Sequence, residues 1–244
     1  MKAEVAQQRS LLEVAELDAE LAKMDHRAGH LPELADLERI RSAQVAANDR
    51  LGALQIALAD LDTQVSRFES EIDGVRQRED RDRSLLQSVT DSKQLMELQH
   101  ELETLQRRQS SLEDSLLEVM ERREQLQTQH AAEGAVVEGL HADQAATQQA
   151  IDATLADIDH HRRAHVSRRD ELTAGLSPDL LALYERQRAN GGPGAALMQG
   201  GRCGACRIEI DRGELARISA APEDEVLRCP ECSAILLRLK GINR

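Results

Sequence analysis

Cys203-Gly204-Ala205-Cys206 and Cys229-Pro230-Glu231-Cys232 hold all four cysteines of the chain, as two knuckles with 22 residues between them. A two-residue spacing lets one tight turn bring both sulfurs to a single ion while backbone N–H groups of the turn face the thiolates. The separation slightly exceeds the usual double-knuckle range of about 15–20 residues, which a longer intervening loop absorbs. Four thiolates fill a tetrahedral coordination sphere and leave no position for water or substrate. The expected cofactor is therefore one structural Zn2+ held by Cys203, Cys206, Cys229 and Cys232.

Two other uses of these cysteines fit less well. Disulfides need an oxidising compartment, yet Met1-Lys2-Ala3-Glu4-Val5 opens an acidic amphipathic helix with no apolar signal core. A redox CxxC needs a thioredoxin-like βαβ setting, whereas the sequence ahead of Cys203 reads as helix followed by glycines.

No catalytic constellation accompanies the metal site. The chain lacks a glycine-rich phosphate loop ending in Lys-Ser/Thr, an HExxH pair and a nucleophile elbow. Its many carboxylates read as solvated coiled-coil flanks. The expectation is a protein that is not an enzyme.

One cationic cluster stands out, His160-His161-Arg162-Arg163 continuing through His165 to Arg168-Arg169. His161 and His165 stand four apart and could share a metal, but the sequence places no third ligand. Arg162, Arg163, Arg168 and Arg169, with Arg202, Arg207 and Arg228 in the cysteine segment, form a candidate phosphate-contacting patch. The competing reading is a solvated helix end whose cations complement the macrodipole, with arginines beside a Zn(Cys)4 centre balancing its charge of about −2. Base stacking needs exposed rings or Arg planes, and Phe68 and Tyr184 are the only large rings, so nucleic-acid binding would run through the backbone and be weak and salt-sensitive.

The elements that must carry these groups are helical. Aromatic residues make up 1% of the 244 positions and charged residues 31%, a composition of long helices rather than of a wide core. Net charge is −13, while residues 200–244 hold eight Lys/Arg and seven Asp/Glu, so the acidity lies in the first 199 residues. No apolar run reaches the roughly 18–20 residues that span a membrane, which points to a soluble cytoplasmic protein.

Leu51, Leu54, Leu58, Leu61, Val65, Phe68, Ile72 and Val75 alternate steps of three and four, a register that runs back through Ala47, Gln44, Ile40 and Leu37. The same pattern joins Leu95, Leu98, Leu102, Leu105, Gln109, Leu112, Leu116, Val119, Arg123 and Leu126, and continues in broken form to about residue 172. So narrow a stripe suits one partner helix. Between the two runs the seam lapses from Glu79 to Thr90, and Asp91-Ser92-Lys93-Gln94 supplies an N-cap. A connection this short joins antiparallel neighbours, so the expected fold is mainly α, a long antiparallel coiled-coil hairpin with a small β-rich C4 zinc ribbon at the C-terminus.

The expected organisation is a hairpin over 1–175, with a break near 26–33 and a tip near 82–92, then a short helix and Gly-rich linker over 176–192, and the ribbon over 193–244. Gly29 and Pro32 end one helix and open the next, and Gly134 and Gly139 predict a bend in the returning helix. Ser177-Pro178 starts the short helix, where Tyr184 shares a face with Leu180 and Leu181 and is expected to pack against the coil base or the ribbon. In the ribbon, residues 207–210 and 234–238 read as strands and 213–219 as one helical turn. With so few aliphatics, zinc binding supplies its folding free energy.

This arrangement resembles a bacterial family that joins a long coiled-coil hairpin to a C-terminal C4-type zinc ribbon. Lys93-Gln94-Leu95-Met96-Glu97-Leu98-Gln99-His100-Glu101 looks like the family's Lys-Glu-Leu-x-Ala-Leu-Gln-x-Glu signature after the tip, departing at Gln94 and Glu97. Leu112-Glu113-Asp114 through Glu118-Val119-Met120-Glu121 is similar to the acidic stretch that follows it. The resemblance implies a protein-adaptor or nucleic-acid-binding role. The leading expectation is a non-enzymatic adaptor that binds a protein partner through its tip or flank, as a monomer or weak homodimer. The alternative is a regulator that holds DNA or RNA through the ribbon and the basic cluster.

Overall fold

The computed structural model describes residues 1–238, so 239–244 of the expected ribbon lie outside the described residues. The chain divides into two units, Ala35–Gln148 and a second made of Met1–Leu34 with the segment from Gln149 onward. Helices α2 (Pro32–Leu86) and α3 (Ser92–Ala174) run through both.

Within Ala35–Gln148 the two helices form the hairpin. Cross-helix pairs run in opposite directions along the chain: Gln44 Nε2 donates to the Leu140 carbonyl, Arg50 pairs with Glu133, Asp62 with Arg123, and Arg76 with Glu113. Leu37, Ala47, Leu61, Ile72 and Val75 are buried in the seam, with Leu105 from α3. Most remaining heptad positions are half-buried, because one partner helix covers only one side of each knob.

The seam does not lapse where the sequence suggested. Glu79 follows Val75 at the next heptad step and is 3% exposed, with its carboxylate taking a hydrogen bond of 2.6 Å from Arg83. A carboxylate therefore occupies a knob position, which a reading based on apolar residues alone passes over. At the turn, Asp91 Oδ1 accepts from the Lys93 N–H and opens α3. Helix α3 continues unbroken through Gly134 and Gly139, so the expected bend is not marked by a helix break; each glycine faces open space and is carried by neighbouring helical hydrogen bonds.

In the other unit, α1 (Val5–Gly29) and α4 (Pro178–Ala189) pack on a four-stranded sheet of β1 (Ala195–Gln199), β2 (Arg202–Cys203), β3 (Leu227–Arg228) and β4 (Ile235–Leu237). The sheet order is β2-β1-β4-β3, with β1 parallel to β4 and the other pairs antiparallel. Because successive strand side chains face opposite ways, Ile235 and Leu237 enter a core with Leu11, Val14, Leu180 and Tyr184, while Leu236 enters one with Cys203, Cys229, Ile210 and Ile218. The ribbon thus shares its core with α4, which directly precedes it, and with α1 from the opposite end of the sequence.

Several local expectations change. Residues 207–210 do not form a strand and make only an isolated bridge between Glu209 and Arg202. The single turn expected at 213–219 is a nine-residue helix, α5 (Arg212–Ala220), N-capped by Asp211. Strand β1 has no strand pattern of its own in the sequence, although Gly200 and Gly201, both at positive φ, make the two-residue hairpin turn that joins it to β2. The N-terminus also joins the ribbon edge: the Ala3 N–H donates to the Asp224 carbonyl and the Val226 N–H to that of Met1. Among the described residues, no helix is long and apolar enough to cross a membrane.

Candidate metal centre

The two knuckles are built alike. The N–H of Cys203 donates to the Ile208 carbonyl and that of Cys229 to the Ala234 carbonyl. Arg207 and Ser233, each four residues after its first cysteine, adopt left-handed φ of 62° and 64° and close the turns. Gly204 is required by close approach: its N–H donates to the Leu197 carbonyl, and a Cβ there would lie 2.5 Å from that oxygen.

These turns bring the four sulfurs within 4.8 Å of one another. Cys203 and Cys232 are 3.8 Å apart across the knuckles and Cys206 and Cys229 are 3.9 Å apart. A tetrahedron with Zn–S bonds of about 2.3 Å has edges of about 3.8 Å, so the donor set fits one zinc. Cys203 and Cys229 are buried and Cys232 exposed, which seats the site at the edge of the ribbon core. Burial pushes the Cys203 thiol up, opposed by the N–H groups of Cys206 and Ala205, while the Ile208 N–H holds Cys206 below the ordinary thiol range. The same N–H groups would offset thiolate charge around a bound ion. With all four positions taken by sulfur, such an ion braces the fold.

The arginines singled out in the sequence do not converge as a free cationic patch, because most of them pair with carboxylates. Arg169 is largely buried: its guanidinium donates 2.7 Å to Asp18 Oδ1 and also pairs with Glu185. Arg168 pairs with Glu13 and Glu171, Arg162 with Asp25, and Arg163 with Asp159. Arg202 lies 3.8 Å from Glu209, while Arg207 and Arg228 are exposed on the ribbon. Each member of the helical cluster thus already faces a carboxylate, and Arg169 is withdrawn from solvent. His161 and His165 do not converge either, since His161 Nε2 faces Asp157 and His165 Nδ1 lies 2.9 Å from the His161 carbonyl.

Sequence reasoning missed the group that organises this end, Asp18. Buried on α1, it accepts 2.7 Å hydrogen bonds from the Tyr184 hydroxyl and from Arg169, with Arg188 3.4 Å away. Tyr184 does pack on the ribbon core as expected, and burial together with the Asp18 hydrogen bond pushes its phenol far above the usual range. The one available signal was an Asp on the apolar face of α1, between Val14 and Leu21.

Residues 14–192 match the model of the CT398-like coiled coil hairpin domain and residues 202–236 that of the C4-type zinc ribbon domain. An uncharacterised Mycobacterium tuberculosis protein is 67% identical over 242 residues, 99% of each chain. A solved Mycobacterium smegmatis structure is 56% identical with a TM-score of 0.86, covering 98% of this chain and 100% of its own. CT398 from Chlamydia trachomatis shares the fold at 18% identity and a TM-score of 0.64, over 96% of this chain and 98% of its own.

Proposed function

From the premise that the chain belongs to the CT398-like coiled-coil hairpin family and ends in a C4-type zinc ribbon, we propose that it is a non-enzymatic adaptor that engages a protein partner at the hairpin tip. The observation that carries this reading is the exposure pattern of the segment after the turn. Over Lys93–Glu101 only Leu95 and Leu98 turn toward α2, while Met96 is 70% exposed and its charged and polar neighbours face solvent. Hairpin packing therefore uses two of these nine positions, and Gln94, Glu97 and Glu101 border a groove shared with Leu85, itself half-exposed on α2. Leu85, left half-exposed beside Val89 and Leu98 in that groove, is more simply a contact residue than a packing residue.

Charge argues against the nucleic-acid alternative. The helical arginines that would meet phosphate already face carboxylates, and the chain carries a net charge of −13. The test is a photocrosslinking residue placed at Gln94, in the groove with Leu85, or at Arg163 in cells, each with and without Leu85→Glu. A discrete protein adduct at position 94 that Leu85→Glu abolishes supports the adaptor. Adducts only at position 163, or tight duplex or RNA binding at about 50 mM salt that falls steeply at higher salt, would overturn it.

A further inference from the structure

Leu85, Val89 and Leu98 floor a groove of about 460 Å³ at the turn of the hairpin, and Asp82, Glu97 and Glu101 stand at its rim. Every charged residue in this lining is a carboxylate. Lys93 approaches Glu97 only to 3.9 Å, with both side chains exposed, a contact that water largely screens. No ion pair among the described residues involves Asp82 or Glu101, and Arg83 close by is held by Glu79 and Asp80. From residue 79 to 101 six carboxylates stand against three cations. The C-terminal end of α2 adds the negative pole of its macrodipole, while Asp91 caps the positive pole of α3.

We infer that this groove docks a basic amphipathic helix of the partner protein. One large apolar side chain of that helix rests on Leu85, Val89 and Leu98, and Lys or Arg from adjacent turns meet Asp82, Glu97 and Glu101. This rests on the adaptor reading and gives its partner a chemistry. The rim repels nucleic acid and anionic lipid, and a second copy of the acidic hairpin fares no better. An apolar floor with a ring of one charge sign is read by helix positions spaced three and four apart, the mode by which amphipathic helices enter grooves.

The probe is a synthetic Leu/Lys amphipathic helix of about 18 residues, with a Leu/Glu peptide of the same pattern as control. Binding to the full chain is followed by fluorescence anisotropy and mapped by NMR. The Leu/Lys peptide is expected to shift resonances of residues 82–101, and the combined Asp82→Asn, Glu97→Gln, Glu101→Gln variant to bind it about tenfold more weakly. Leu85→Ser should weaken it as well, and the Leu/Glu peptide should not bind. All four positions lie at the groove's rim or open floor, and circular dichroism verifies that the variants keep their helices. Equal affinity for the triple variant, shifts spread along the hairpin flanks, or no binding at all overturns the inference. If position 94 crosslinks to a cellular protein while the Leu/Lys peptide fails, the adaptor reading stands and only the basic-helix chemistry falls; with no adduct at position 94, both fall.

Discussion

Arg207 and Ser233 occupy equivalent places in the two knuckles, each donating its N–H to the carbonyl of its first cysteine, Cys203 at 2.8 Å and Cys229 at 2.9 Å, from a left-handed backbone. Neither is glycine, so each carries the steric cost of its Cβ in that conformation. The metal site inherits the geometry of these two turns.

Glycine at either position should keep zinc affinity and leave stability unchanged or slightly higher. Valine should lower the stability of the zinc-loaded protein by about 1–2 kcal/mol, because a β-branched side chain crowds a left-handed backbone. Thermal melts and competition with a chromophoric chelator measure the two effects. Equal melting points for Ser233→Gly and Ser233→Val would contradict this role for the turn.

Arg169→Met should destabilise the protein by about 3 kcal/mol, since it leaves Asp18 buried with only the more distant Arg188 to balance it. Arg163→Ala removes a solvent-screened pair with Asp159 and should cost no more than about 0.5 kcal/mol. Urea unfolding of the two variants separates them. A phosphate-contacting patch would have made the two residues similar.

The contrast between those arginines shows what was legible. The cysteine spacing could be read because ligand geometry fixes it, and the heptads because a two-helix seam admits apolar residues at set intervals. Asp18 and Arg169 lie 151 positions apart, and no local periodicity marks their pairing. Strand β1, Ala195-Ala196-Leu197-Met198-Gln199, contains no β-branched residue, and its strand character comes from pairing with β4. The pairing of Met1 and Ala3 with Asp224 and Val226 is likewise purely tertiary. Glu79 was hidden for the opposite reason, a charged residue at a position where the pattern expects an apolar one.

Tyr184 gives stability an alkaline limit. Its folded-state pKa is raised by burial and by the Asp18 hydrogen bond, so the folded protein keeps a proton that the unfolded chain releases near pH 10. The contribution is complete below about pH 10 and declines as pH rises beyond it. Tyr184→Phe should cost about 1.5–3 kcal/mol at neutral pH, with the gap to the parent narrowing above about pH 10. Urea unfolding across that range checks the sign; a gap that widens with pH would contradict it.

Hydrogen exchange with and without a zinc chelator, on protein whose metal content has been determined, tests most directly whether one ion organises the C-terminal end while the hairpin holds itself together. One zinc per chain is expected. Chelation should strip protection from the sheet at residues 195–237 and weaken α1 and α4, which share its core, while residues 35–148 stay protected. A chain that binds no stoichiometric zinc, or a sheet whose protection survives chelation, would contradict it.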